Sequence, residues 1–297
     1  MRWLTLNRPG ALNAFNDAVY AALVRELAAA AADDSVAAVV LTGAGRYFTA
    51  GADLVDAVHP TEGFIPFGAA LRAFPKLLVA ALNGPAVGVG VTLLPHCDLV
   101  LAAAGATLSC PFLSTGLVPE LCSTVTLPAA LGPATARHMI YTEAPLRVDD
   151  PRAAGLIAAV VSSADALRPA VHDMLRTALA RPLASAALPL FKRLLTDPTA
   201  AALTAAWERE NAALLARIDA GDTLVAATAR LGALVPCRCL LTPCIATPQF
   251  HATPIHAPAA QKPRQLAACA RDCKQGMDWH ASTHAATEDR YLGCGTG

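Results

Sequence analysis

Neither sign of charge dominates this chain. Its 297 residues carry 23 Lys and Arg against 23 Asp and Glu. No basic field is present to draw in nucleic acid, and no polybasic patch to seek an anionic membrane surface. Long apolar runs are also missing. Arg, Asp, His or Pro breaks each one before the roughly 20 residues that a bilayer span needs, so no membrane span is expected. The opening Met1-Arg2-Trp3-Leu4-Thr5-Leu6-Asn7-Arg8-Pro9 enters a strand-like pattern at once and lacks the makeup of a signal or transit peptide. Paired CxxC spacing is absent. Cys237-x-Cys239 and Cys269-x-x-x-Cys273 do not supply it, so no zinc site is expected. Of nine cysteines only Cys97, Cys110 and Cys122 lie in the first 233 residues. The body therefore reads as a reduced, soluble, intracellular protein, not a disulfide framework.

Apolar residues make up 55% of the chain and charged residues 15%, which describes a packed core. The length suits one large domain or two ordinary ones. Short β-branched and Leu-rich runs at residues 36–42, 78–82 and 99–103 predict buried strands. Between them lie helical patterns: residues 17–32, with Asn16 as N-cap, and a short helix over 88–95 directly after a Gly-Pro turn. Strands alternating with helices argue an α/β architecture around a largely parallel sheet. From Pro133 onward the chain reads as nearly all helical, with i, i+3, i+4 apolar spacing over 165–180, 184–195 and 199–219. Near Leu234 the composition shifts to Pro, His, Cys, Thr and Ala without a period. Three regions are expected: a core over 1–165, a helical region over 166–233, and a low-complexity, disordered tail over 234–297.

Two segments look built to hold a carbonyl oxygen. In Phe48-Thr49-Ala50-Gly51-Ala52-Asp53-Leu54, small residues follow a strand and let backbone approach a ligand closely. In Asn83-Gly84-Pro85-Ala86-Val87-Gly88-Val89-Gly90, a second strand ends and a helix begins, its unpaired N–H groups pointing partial positive charge forward. Taken singly, each reads equally well as an ordinary βα turn. Glu120 stands between Gly116-Leu117-Val118-Pro119 and Leu121-Cys122-Ser123, with no second carboxylate near it in sequence. One carboxylate beside a polarised carbonyl moves a proton; it lacks a partner to help it add water. Taken singly, Glu120 is a solvated loop residue.

These segments together resemble the enoyl-CoA hydratase/isomerase (crotonase) superfamily over residues 4–231. Leu6-Asn7-Arg8-Pro9 with Leu12-Asn13-Ala14, Val39-Val40-Leu41-Thr42-Gly43, Cys97-Asp98 and Ala153-Ala154-Gly155-Leu156 complete the likeness. The resemblance implies a ββα spiral core with C-terminal helices that trimerise, a homotrimer or dimer of trimers. It also implies an acyl-CoA thioester as substrate and no separate cofactor or metal. It carries the oxyanion donors onto the amides of Ala52 and Val89. The substrate contacts fall on Ala11, Ala50, Gly51, Asp53, Leu54, Gly88, Phe112 and Leu117. The family's hydratases use two glutamates that would fall at Thr92 and Phe112. Glu120 instead falls where Δ3,Δ2-enoyl-CoA isomerases of the peroxisomal type carry their single catalytic glutamate.

The implied activity is a shift of the double bond of 3-enoyl-CoA to the 2,3 position, in a peroxisome or mitochondrion if the cell is eukaryotic. No address is readable, since Gly295-Thr296-Gly297 is no receptor-read signal. An apolar surround of Phe112, Leu117, Val118 and Leu121 is expected to raise the acid's pKa. Two alternatives stand beside it. One is an enoyl-CoA hydratase. The other is a non-catalytic acyl-CoA-binding module like the crotonase-like domain of chromodomain-Y-like proteins, which Leu94-Pro95-His96-Cys97-Asp98 also resembles. The remaining polar residues have plainer readings: Asp53 as a helix cap, Asp98 as an acceptor for local backbone donors, His96 and His138 as structural, and Phe191-Lys192-Arg193 as a solvated basic face in preference to a contact for CoA phosphates.

Overall fold

The computed structural model describes residues 1–53, 63–223, 225, 226 and 290–292. Its strands are β1 (Arg2–Leu6), β2 (Ala38–Gly43), β3 (Leu77–Leu82), β4 (Ala86–Val87), β5 (Leu99–Ala103), β6 (Thr107–Ser109), β7 (Leu146–Arg147), β8 (Ala159–Val161) and β9 (Arg290–Leu292). Its helices are α1 (Asp17–Ala32), α2 (Phe64–Ala73), α3 (Val89–Thr92), α4 (Phe112–Thr115), α5 (Ser123–Leu131), α6 (Pro133–Thr142), α7 (Leu167–Leu179), α8 (Ala184–Thr196) and α9 (Ala200–Asp219).

A parallel sheet in the order β8-β5-β3-β2-β1-β9 forms the centre. The central strands are apolar without alternation because both faces are covered. Val39, Leu41, Leu78, Ala80, Leu82, Val100 and Ala102 face one core with α1 and α2. Ala38, Val40, Val79, Ala81 and Leu101 face the other, where α7 lays Leu167, Val171 and Leu175 across them at helical spacing. A small second sheet, β4-β6-β7, stands off the first.

Asn16 caps α1 as its position predicts, its side chain accepting from the amide of Val19 at 3.1 Å. The region after Pro133 departs from the all-helical expectation. β7 pairs antiparallel with β6, and β8 adds a parallel edge to the main sheet. These pieces are two and three residues long, too short to show a period of two. Asp98 receives the amide of Leu78 at 2.7 Å and also holds Lys192 at 2.9 Å, so that lysine is tied to the sheet, not to solvent. The disorder expected over 234–297 lies outside the described residues, apart from Arg290–Leu292, which form β9. Among the described residues no helix is long and apolar enough to cross a membrane, and no cluster of three His, Cys, Asp or Glu gathers.

Candidate active site

The two turn segments are laid side by side. The amide of Val87 donates to the Thr49 carbonyl at 3.0 Å, that of Phe48 to the Pro85 carbonyl at 3.1 Å, and Thr49 bridges Ala86 in parallel. Two residues further along, Gly51 packs against Val87 and Gly88. Gly51 and Gly88 make this approach possible. Both hold positive φ, +93° and +53°, and a Cβ on Gly51 would stand 3.0 Å from the Val87 carbonyl oxygen. Val89 opens α3, so its N–H has no acceptor within the helix. Among the described residues, neither the Ala52 nor the Val89 amide donates a hydrogen bond.

Two asparagines hold the first turn in place. Asn13 donates through Nδ2 to the carbonyls of Ala44 and Tyr47, both at 2.8 Å, and Asn83 donates to those of Gly45 and Tyr47 at 2.8 and 3.0 Å. Asn83 Oδ1 in turn accepts from the Gly43 amide at 2.9 Å. Each side chain replaces the strand ladder that stops at the end of β2, so the buried backbone there stays paired.

Glu120 ends the loop after α4 and is only 6% exposed. It is followed by two left-handed residues, Leu121 (φ 52°) and Cys122 (φ 61°). A bend of this kind is costly for side-chain-bearing residues and persists only when its surroundings hold it. Here His96 Nε2 donates to the Leu121 carbonyl at 2.7 Å, and Cys122 Sγ donates to the Leu203 carbonyl at 3.2 Å. The carboxyl receives a long hydrogen bond from Thr92 Oγ1 at 3.4 Å. Burial pushes its pKa up to about 8, the buried carboxylate of Glu210 adds to the rise, and the Thr92 hydroxyl opposes it. Burial, with Glu120 adding to it, pushes the pKa of Cys110 up to about 12, so that thiol stays protonated and is a poor nucleophile.

A cavity of about 30 Å³ brings Ala52 of the first turn together with Glu120. Ala52, Leu117 and Glu120 line it together with Phe15, Asn16, Asp17 and Tyr20 from the start of α1, Phe64 of α2, and Leu214 and Ile218 of α9. Glu120 is the buried carboxylate among these; Asp17 is exposed. Of the residues named from sequence, Ala52, Leu117 and Glu120 meet here. Gly51, Gly88 and Val89 form the paired turns. Ala50 donates to the Leu12 carbonyl, Ala11 sits in a single 3₁₀ turn, and Phe112 is buried at the head of α4. Asp53 accepts from both terminal nitrogens of Arg8 at 3.1 and 3.2 Å. The helix it was expected to cap, and Leu54, fall within 54–62, outside the described residues.

Sequence reading missed Tyr20, Phe64, Leu214, Ile218 and Glu210. The first four look like ordinary core positions. Glu210 did leave a signal: Ala206, Glu210 and Leu214 form the buried stripe of α9, and a charged residue in such a stripe asks for a reason.

An enoyl-CoA hydratase/isomerase family model matches residues 2–221. The chain belongs to that family. A 2,3-dehydroadipyl-CoA hydratase from Escherichia coli is 37% identical over 224 residues, covering 73% of this chain and 87% of that protein. Human enoyl-CoA delta isomerase 2 is 38% identical over 169 residues, covering 53% of this chain and 43% of its own length. Among solved structures, an enoyl-CoA hydratase/isomerase from Pseudoalteromonas atlantica matches with a TM-score of 0.72 at 33% identity, over 77% of this chain and 92% of the other. OdaA from Pseudomonas aeruginosa matches with a TM-score of 0.72 at 32% identity, over 77% and 95%. The crotonase-type α/β fold expected from sequence is thus the fold this chain has. An acyl-CoA substrate is consistent with the family.

Proposed function

We propose that this hydratase/isomerase family member is a Δ3,Δ2-enoyl-CoA isomerase. The observation that carries the reading is Glu120, the one buried carboxylate among the described residues that line the cavity beside Ala52. In this reading the thioester oxygen lies between the amides of Ala52 and Val89. The Glu120 carboxylate takes a proton from C2, and the electron pair of that bond runs into a dienolate whose charge settles on the held oxygen. The same proton returns at C4, leaving the double bond between C2 and C3. Proton and electrons balance within the substrate and one side chain, and water takes no part. Thr92 and Phe112 stand where water-adding relatives are expected to carry acids, and neither side chain can serve as one. The extended match to a hydratase keeps hydration as the second reading.

One assay separates the two. Purified protein given 3-hexenoyl-CoA should form the 2-enoyl thioester, and given 2-hexenoyl-CoA should form little 3-hydroxy product. Hydration without isomerisation overturns the assignment; binding without either reaction favours the non-catalytic module. The reading extends to a trimer built through the helical region, where Leu190, Phe191, Leu194 and Leu195 of α8 are exposed. Sedimentation at monomer mass would remove that part.

A further inference from the structure

We propose that Glu210 is a positioning residue for Glu120: from α9 it caps the N-terminus of α5 and so fixes the left-handed turn that aims the acid at the cavity. Glu210 is 5% exposed. A carboxylate so placed needs strong partners to remain buried. Its Oε1 accepts from the Thr124 amide at 2.9 Å and from the Thr124 hydroxyl at 2.5 Å. That amide belongs to the second residue of α5, one of the four that a helix leaves unpaired at its start. Cys122, in the N-cap position with φ 61°, offers no side-chain cap to α5. The cap therefore comes from 86 residues further along the chain. A negative charge there also suits the helix dipole.

Glu210 does not line the cavity, so it acts through Glu120 and not on a ligand. Its second oxygen, Oε2, is buried without a hydrogen bond. Its carboxylate is the second cause, after burial, of the raised pKa of Glu120. Other groups share this field. Tyr20 of α1 feels Glu120 and Asp17, Cys110 feels Glu120, Arg72 of α2 opposes Glu210 at Cys122, and burial raises the pKa of Glu210 itself while Thr124, and Arg209 of its own helix, lower it. Among these Glu210 alone both grips the turn after Glu120 and raises its pKa. The catalytic consequence rests on the proposed role of Glu120 as base; the structural one does not.

Two substitutions in the full chain test it. Glu210→Gln keeps an acceptor for Thr124 and removes the charge; Glu210→Ala removes both. The readout is a ¹³C-NMR titration of glutamate carboxyl signals, with that of Glu120 assigned by its loss in Glu120→Gln, alongside isomerase kinetics. In Glu210→Gln the Glu120 midpoint should fall from about 8 toward the ordinary carboxylate range. In Glu210→Ala kcat should drop by about 10- to 100-fold with KM little changed, as a misplaced reacting group predicts. Parent-level kcat in folded Glu210→Ala overturns the proposal; if that variant fails to fold, Glu210→Asp, whose shorter side chain draws the acceptor back from Thr124, takes its place in the kinetics. An unmoved midpoint in folded Glu210→Gln overturns the charge coupling between the two carboxylates. A shifted midpoint in a protein that never isomerises 3-enoyl-CoA supports the placement and sinks only the assigned reaction.

Discussion

The hydroxyl of Thr92 reaches Oε1 of Glu120 at 3.4 Å, and among the described residues it is the one hydrogen bond that carboxyl receives. A hydroxyl donor favours the ionised form, so it works against the burial that favours the neutral one. Thr92→Val keeps the shape and removes the donor. The kinetic midpoint should then rise above about 8, and turnover at pH 7 should fall several-fold while turnover at pH 9.5 changes less. A pH profile of kcat/KM for both proteins checks this; a downward or absent shift contradicts the hydrogen bond's assigned effect.

The parent enzyme should itself gain activity with alkalinity. A base must be ionised to accept the C2 proton, and the free carboxyl releases its own at about pH 8. kcat/KM should climb through that pH and level above it. Glu120→Gln cannot accept the proton, and its rate should lie about 10²- to 10⁴-fold lower with substrate affinity kept. Rates near the parent's would remove Glu120 from the reaction.

Stability should run the opposite way. Below pH 4.5 the carboxyl is protonated whether the chain is folded or not. Between 4.5 and about 8 the unfolded chain releases the proton while the folded one retains it. Stability therefore falls as pH rises through this window and is flat beyond it. Glutamine mimics the neutral acid at every pH. Glu120→Gln should match the parent at pH 5 and exceed it at pH 9 by on the order of 2–4 kcal/mol. Urea denaturation at the two pH values measures the gap, and a gap that does not grow with pH argues against the raised pKa.

Gly88 offers a test of the paired turns. Its φ of 53° with ψ of −117° belongs to glycine, yet an added Cβ would meet only Gly51 Cα, at 3.9 Å. The cost of Gly88→Ala is thus conformational, about 1–3 kcal/mol, and the protein should still fold. The Val89 amide would shift with the backbone. Loss of one such donor lowers kcat by roughly 10²-fold or more, so kcat should fall far more than stability. Unchanged turnover would place the thioester oxygen elsewhere.

How much of this was readable beforehand follows from where the information sits. The strands β2, β3 and β5 are continuous apolar runs because both sheet faces are covered, and Asn16 announces α1 through its own chemistry. The glycines of both turns are visible as sequence because only glycine tolerates their backbone. The edge strand β8 and the small second sheet are not, since segments of two or three residues take their form from neighbours. The ion pair of Asp53 with Arg8, 45 residues earlier, is likewise a tertiary contact that no local pattern announces. The surround of Glu120 shows the same limit. Leu117 and Leu121 are local and were legible, whereas Tyr20, Leu214 and Glu210 arrive by tertiary packing.

Leu214 and Ile218 are one turn apart on α9, and both line the cavity that Ala52 and Glu120 share. One wall of the cavity is therefore carried on a C-terminal helix, and Ala52 and Glu120 on loops far earlier in the chain. Under the proposed function, varying the codons of Leu214 and Ile218 reshapes the cavity without touching the residues assigned to the proton transfer.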